Sequence, residues 1–365
     1  MAINNQQIIE VANLLDALDY VSRREMNEQD MDTMHLQGPG YEFEGKFVLF
    51  QDERGEGHLY PVNLSRYMYY RGERKLYPHC YATIYRDLSE AEKFVERMKY
   101  CELSILIEDY PLTKMFRTDF GFPYKEGLIH VPLNINALAL AQHYGICTNL
   151  IDVTVDKWVA AFFACTYKDK EGVFHPVTDE SQYGMFNIYY GKNMSFPFND
   201  PELSTIGLQP FSRPGEQAGY AVIMNEGEDF YDKCAIRIKF KHDARVSQLV
   251  FNYSNRANKL FPQSILEDKV EAIKEAHTFS DAAYALCKKQ FYAQVEDNVL
   301  CGYLEEHGKA ISSQKPVCFT EAEKQDFYKK WPNMSKRITS MLLYPNLPRV
   351  VRLNQINFEN NHGQD

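Results

Sequence analysis

Three polar clusters interrupt sequence that otherwise reads as core: Tyr70-Arg71-Gly72, Ala141-Gln142-His143-Tyr144-Gly145 and Arg213-Pro214-Gly215-Glu216-Gln217. Burying an Arg, His or Gln costs free energy unless a partner satisfies it, and a ligand is one such partner. Arg71, followed by a residue with no side chain, can hold a phosphate through two parallel hydrogen bonds while the ligand comes close to the backbone. The competing reading is an Arg paired with one of the 50 carboxylates. His143 ends an apolar helical stretch, with Gln142 beside it and Asp152 across a bend, so a carboxylate can orient the imidazole. A lone His on an apolar helix is more often a core residue bonded to a carbonyl. Gln217 and Gly219 alternate onto one face of a strand entering Tyr220 and Glu216 onto the other, unless a bulge shifts the register. The bland reading of Arg213-Pro214-Gly215 is an ordinary turn. Arg66, Arg71, Arg74, Lys75 and Arg86 make a locally basic stretch that suits a phosphorylated ligand, or equally a solvated face. No second His or Cys stands at ligand spacing, which argues against a metal site.

The elements that position these groups follow from periodicity. Residues 4–29 carry Ile8, Val11, Leu14, Leu15, Leu18 and Val21 at helical spacing, with Asn4 and Asn5 as caps. Lys46 to Phe50 reads as a strand, and so does Tyr67 to Tyr70, with Arg71 where that strand finishes; strand ends are common places for ligand contacts. Ser89 caps a helix through Ala91, Phe94, Val95 and Met98, until Pro111 breaks it. Asn134 to Tyr144 is a helix closed by Gly145, and a second helix capped by Thr154 runs to about Tyr167, so Ile146 to Asp152 forms the bend of a helical hairpin. Met185–Tyr190, Tyr220–Met224 and Cys234–Lys241 read as strands, the last with Cys234, Ile236, Ile238 and Phe240 on one face. Helix returns beyond His242, including Ile265 to Phe291 with a break near Thr278 and Ser280, and a last short apolar run, Val350 to Leu353, closes the fold.

At 365 residues and 45% hydrophobic, the chain can bury a sizeable core as one large domain or two. The 25 Tyr and 23 Phe against 2 Trp suit apolar walls that also offer a hydroxyl. A net charge of -10 argues against broad attraction to nucleic acid or anionic membrane. The eight Cys have no closely spaced pair and read as reduced thiols. The first 28 residues are not a secretory signal and no apolar run approaches the ~20 residues of a spanning helix, so the expectation is a soluble, cytoplasmic protein with no membrane partner. There is no phosphate loop, dinucleotide fingerprint or serine elbow, which disfavours common ATPases and hydrolases.

The motifs resemble the FRG domain, named for a Phe or Tyr followed by Arg-Gly. Tyr70-Arg71-Gly72 supplies the name motif, and Tyr77-Pro78 with Tyr85-Arg86 is similar to a following Pro-then-Arg stretch. Leu140 to Gly145 with Thr148, Leu150, Asp152 and Thr154 resembles the family's most recognisable segment, continued by Ala160, Phe163 and Ala164. Arg213 to Gly219 looks like its closing element. Cys147, Asn149 and Val153 stand where Pro, Arg and Trp are usual.

The resemblance implies an α+β fold, a mixed β-sheet core flanked by helices and ADP-ribosyltransferase-like. It divides the chain into an N-terminal lead (1–60), the FRG domain (61–242) and a mainly helical extension (243–365). It implies nicotinamide adenine dinucleotide (NAD) as substrate and no metal. Arg71, His143 and Gln217 are the implied catalytic residues, and Tyr70, Gly72, Arg86, Asp152, Arg213 and Tyr220 the implied dinucleotide contacts. No carboxylate is in phase to support a ribosyl cation, which leaves Glu73 and Glu216 as candidates. The acceptor is a protein or a nucleic acid, its bases stacked by Tyr70, Tyr144 or Tyr220. Such a chain would be an effector or toxin, as in bacterial phage defence, with a cognate neutralising protein as partner. The alternative is a non-catalytic module that binds a nucleotide, a nucleic acid or another protein.

Overall fold

A mixed, mostly antiparallel sheet of seven strands organises the computed structural model, which describes residues 7–32, 47–51, 55–61, 68–118, 121–124, 127–191, 201–341 and 351–352. In chain order the strands are β1 (Gln7–Val11), β2 (Met68–Glu73), β3 (Leu150–Thr154), β4 (Tyr183–Tyr190), β5 (Leu203–Thr205), β6 (Gly219–Ile223) and β7 (Cys234–Lys241). Their spatial order is β1-β7-β4-β2-β3-β6-β5, and β1 runs parallel to β7. Helices flank the sheet, so the chain has the mixed-sheet, helix-flanked architecture expected of it. β7 keeps the anticipated alternation: Cys234, Ile236, Ile238 and Phe240 are buried and the residues between them are not.

Two expectations are corrected. The N-terminal helix does not begin near residue 4. Residues 7–11 form β1, and helix α1 (Leu14–Asp32) starts after Asn13, whose Oδ1 accepts from Leu15 N at 2.8 Å. Ile8, Ile9 and Val11 are β-branched, and the free edge of β7 offers backbone partners that outweigh a helical period. Asn4 and Asn5 lie outside the described residues, as do Lys46, Arg66, Tyr67, Val350 and Leu353. The helical hairpin is also absent. Its supposed bend is the central strand β3, inserted between β2 and β6, with Leu150, Ile151 and Val153 buried. The next helix, α4 (Lys157–Cys165), is capped by Asp156, whose Oδ1 accepts from Trp158 N at 2.8 Å, and not by Thr154, which ends β3.

Helix α2 (Glu90–Glu108) opens on Ser89 in a reciprocal capping box with Glu92, as read. Helix α3 (Ala137–His143) is capped by Asn136, two residues later than the expected start, and Gly145 at φ +82° ends it. The expected break after Ile265 is a short strand, Thr278–Ser280, between helices Ile265–Glu275 and Asp281–Phe291. Val351–Arg352 pairs with Phe50–Gln51.

One feature of the sheet positions the site. β2 pairs with β4 at six positions and β3 with β6 at five, but β2 and β3 meet at one register pair, Tyr70 opposite Thr154. Beyond it the strands separate, and the sheet opens into a wedge. Helix α4 crosses one face of this wedge and packs tightly on β2. A Cβ at Gly72 would stand 1.8 Å from Ala160 O and 2.7 Å from Ala164 N. Gly72 is therefore required for the approach of a helix, and not, as expected, for the approach of a ligand.

Candidate functional site

The wedge is a cleft of about 750 Å³. Its walls are β2, β3, the start of β6, helix α4, the loop from Arg74 to Asp87 and the hairpin formed by Thr166–Lys168 and Phe174–Pro176. Arg71, His143 and Gln217, drawn from all three sequence clusters, face into it, joined by Tyr70, Gly72, Arg86 and Asp152.

Arg71 lies inside β2, two residues before its end, and 24% of its side chain is exposed. Its Nη1 donates to Asp152 O at 2.9 Å and its Nε to Glu73 Oε1 at 3.2 Å. Because β2 and β3 have separated here, the guanidinium takes the β3 carbonyl that a continuous ladder would have paired. Burial works against its charge, but the Cys80, Glu73 and Asp152 side chains outweigh that and raise its pKa. Glu73 is buried and engaged by three donors: Arg71, Asn187 Nδ2 at 3.1 Å and Tyr231 Oη at 2.8 Å. It is 7% exposed and its charge is committed to Arg71. Cys80 is pushed up to about 11 by burial, so it stays a thiol.

His143 is the last residue of α3, with 4% of its side chain exposed. Burial lowers its pKa, against the opposing pull of Asp152, which favours the neutral ring at pH 7. Its Nε2 stands 3.9 Å from Asp152 Oδ1, and neither atom has a hydrogen-bond partner. Two buried polar atoms without partners face each other at the cleft wall, and Asp152, 34% exposed, reaches into the opening. Its other oxygen accepts from Gln142 Nε2 at 3.4 Å, and Gln142 Oε1 accepts from Thr148 at 2.6 Å. Gly219 makes room for the ring, since a Cβ there would lie 3.3 Å from His143 Nε2.

Gln217 reaches the cleft by a route the strand alternation did not anticipate. Arg213–Glu216 is one helical turn, Gln217 caps it, and Ala218 at φ +46° turns the chain into β6. Gln217 Nε2 donates to Leu260 O at 3.0 Å, and its carbonyl accepts from Thr154 Oγ1 at 2.7 Å. Glu216 points away and pairs with Arg337.

Three expected residues do not line the cleft. Arg213 lies behind His143, donating to its carbonyl at 2.9 Å, paired with Glu267 and stacked on Tyr144 at 4.3 Å. Tyr220 is buried against Tyr60 and Tyr69, with its hydroxyl on Pro61 O at 3.0 Å. Tyr144 gives its hydroxyl to Ser264. Tyr70 lies on the wall, but it is fully buried and its hydroxyl bonds Glu25 at 2.6 Å, so it stacks no base. Tyr77 and Phe163, named within the family motif without a role, also lie on the cleft, and the sequence reading missed His79, Tyr81, Tyr167, Lys168 and Phe174. The Asp169-Lys170-Glu171-Gly172 turn was the available signal for the hairpin that carries the last three.

Among the described residues no group of three or more His, Cys, Asp or Glu is placed to hold a metal ion, and no helix is long and apolar enough to cross a membrane. Residues 66–172 match the family model of the FRG domain. No curated protein and no solved structure matches the chain. Gln217 and Gly219 join the cleft from beyond the matched segment.

Proposed function

Because residues 66–172 form an FRG domain, we propose that this cleft binds NAD and breaks its bond between nicotinamide and ribose, passing ADP-ribose to an acceptor or to water. The observation that carries this reading is the convergence of Arg71, His143, Asp152 and Gln217 on one cleft of about 750 Å³, within the roughly 300–1,000 Å³ of small-molecule sites. Arg71 offers its remaining donors to the pyrophosphate. As the C–N bond breaks, its electron pair leaves with nicotinamide and the ribose carbon becomes cationic. The Asp152 carboxylate is the group available to that charge, because Glu73 is buried and paired with Arg71 and Glu216 lies outside. Gln217 and neutral His143 hold ribose hydroxyls and the ring. The acceptor then supplies an electron pair to the ribose carbon and loses its proton to Asp152 or His143. In this reading the chain acts as an NAD-consuming effector or toxin.

The test is nicotinamide release from NAD by the purified chain, with and without nucleic acid or protein added. Asp152→Asn should abolish release while preserving the fold, since the side chain makes one long hydrogen bond. Equal release by Asp152→Asn, or none by the wild type under any condition, overturns the reading. Binding without turnover is the second reading, favoured by the prior engagement of Arg71 with Glu73 and Asp152. It predicts NAD affinity with no nicotinamide released.

A further inference from the structure

The lips of the cleft carry cations and aromatic rings that the NAD reading does not use. Arg74, Lys75, Arg86 and Lys168 are all exposed, and none forms an ion pair among the described residues. In a chain with 50 acidic and 40 basic residues that is an imbalance, since Lys93, Lys99 and Lys114 elsewhere are each held by a carboxylate. The nearby acids are directed elsewhere: Asp229 is bonded to His79, Asp169 to His175 and Asp152 to Gln142, and among the described residues no carboxylate oxygen lies within 4.0 Å of these four cations. Rings stand between the cations. Arg74 lies 5.8 Å from the Tyr167 ring on the opposite lip, Lys75 lies 5.0 Å from Tyr77, and His79 stacks on Tyr81 at 5.1 Å and 15°. Tyr77 and Tyr167 are each 37% exposed, and Leu76 between Lys75 and Tyr77 is 45% exposed.

We propose that these lips form a track for single-stranded nucleic acid, which makes a nucleic acid the acceptor of the transfer; only the acceptor role rests on the NAD reading. Unpaired cations meet phosphates, and exposed ring faces meet unstacked bases. An acidic peptide would use the cations and leave the rings idle. A duplex would hide its bases from them. The net charge of -10 disfavours nucleic acid as a global partner but leaves a local track intact, because fields between exposed charges are screened beyond about 8–10 Å.

The test needs no NAD. Fluorescence anisotropy of labelled single strands of about 12 nucleotides, within the roughly 4–16 that one binding fold covers, is compared with the same sequence as duplex and with an acidic peptide. Wild type should bind the single strand most tightly. Lys75→Glu with Lys168→Glu should weaken binding at least about tenfold and flatten the salt dependence by about 1.4, two phosphate contacts at about 0.7 each. Tyr77→Ala with Tyr167→Ala should weaken binding without changing that slope. These side chains are exposed, so unchanged melting temperatures will confirm folding. Equal binding of duplex, preference for the peptide, or affinity untouched by both double variants overturns the proposal. Nicotinamide release measured alongside reports separately on the NAD reading.

Discussion

Arg71→Ala is the obvious substitution for disabling the cleft, and the structure says it will also damage the fold. Glu73 is 7% exposed and Arg71 is the cation bonded to it. Removing that cation leaves a buried carboxylate with two neutral donors, Asn187 and Tyr231. Losing one partner of a buried pair costs about 3–5 kcal/mol. Two features put this case near the lower end: water reaches the Arg71 position through the cleft, and Arg237 remains one residue away, bonded to Asn187 and stacked over Tyr231 at 3.6 Å. At about 2.1 cal/mol/K per residue a chain of 365 residues unfolds with roughly 0.8 kcal/mol/K, so a loss of about 3 kcal/mol lowers the melting temperature by roughly 4 °C. Glu73→Gln in the same chain removes the stranded charge, so the double variant should melt higher than Arg71→Ala alone, with a coupling of about 1–2 kcal/mol. Circular-dichroism melts of the wild type, both single variants and the double variant close the cycle. Wild-type melting of Arg71→Ala, or a double variant that loses the sum of the two single losses, refutes the reasoning.

Gly72→Ala places a methyl 1.8 Å from Ala160 O, so helix α4 must retreat; the cost is at least about 3 kcal/mol, and a melting temperature equal to wild type would show that the contact is not tight. His143 and His242 both have pKa values lowered by burial. The unfolded state therefore binds more protons below about 6.5. Stability should be fully present above that pH and decline as pH falls through it, and His143→Gln should flatten part of the decline in melts between pH 5 and 8. Glu216→Gln breaks an ion pair whose Arg337 side chain is 60% exposed. It should change stability by less than about 1 kcal/mol and leave nicotinamide release intact; loss of release would return Glu216 to the site in place of Asp152.

The site was legible in the sequence where polar residues stood out against apolar neighbours. Arg71, His143 and Gln217 reach one cleft and stood out because a polar group among apolar neighbours leaves a compositional mark, whereas Gly72, Arg86 and Asp152 came with the family motif. Arg213 left the same mark for another reason: its partners are Glu267 and the carbonyl of His143, and a single sequence cannot distinguish a cation that holds a ligand from one that holds a backbone. Tyr220 was misleading because a tyrosine suits a wet wall and a dry core equally. The fold was legible wherever one period dominated, as in β7 and α2. It failed at β3, where five residues between two helices look like a bend and only a long-range partner makes them a strand. It failed at β1 for the same reason.

The single β2–β3 register pair accounts for more of the site than any side chain. A continuous ladder would have paired the Asp152 carbonyl with β2 and closed the sheet over His143. Separation exposes that carbonyl to Arg71 and opens the space into which Asp152 projects. Much of what holds the two halves apart comes from outside the matched segment, with Thr154 of β3 as its anchor inside. Thr154 pins the Gln217 carbonyl, Leu260 takes its amide, and Glu267 anchors Arg213 behind the histidine. Ser264 and Lys274 fix Tyr144 from the same side. The extension beyond residue 242 thus forms the back wall that sets where His143 and Gln217 stand. A wedge in a hydrogen-bonded sheet is stable only when its freed polar groups find other partners, and here Arg71 in front and the extension behind provide them.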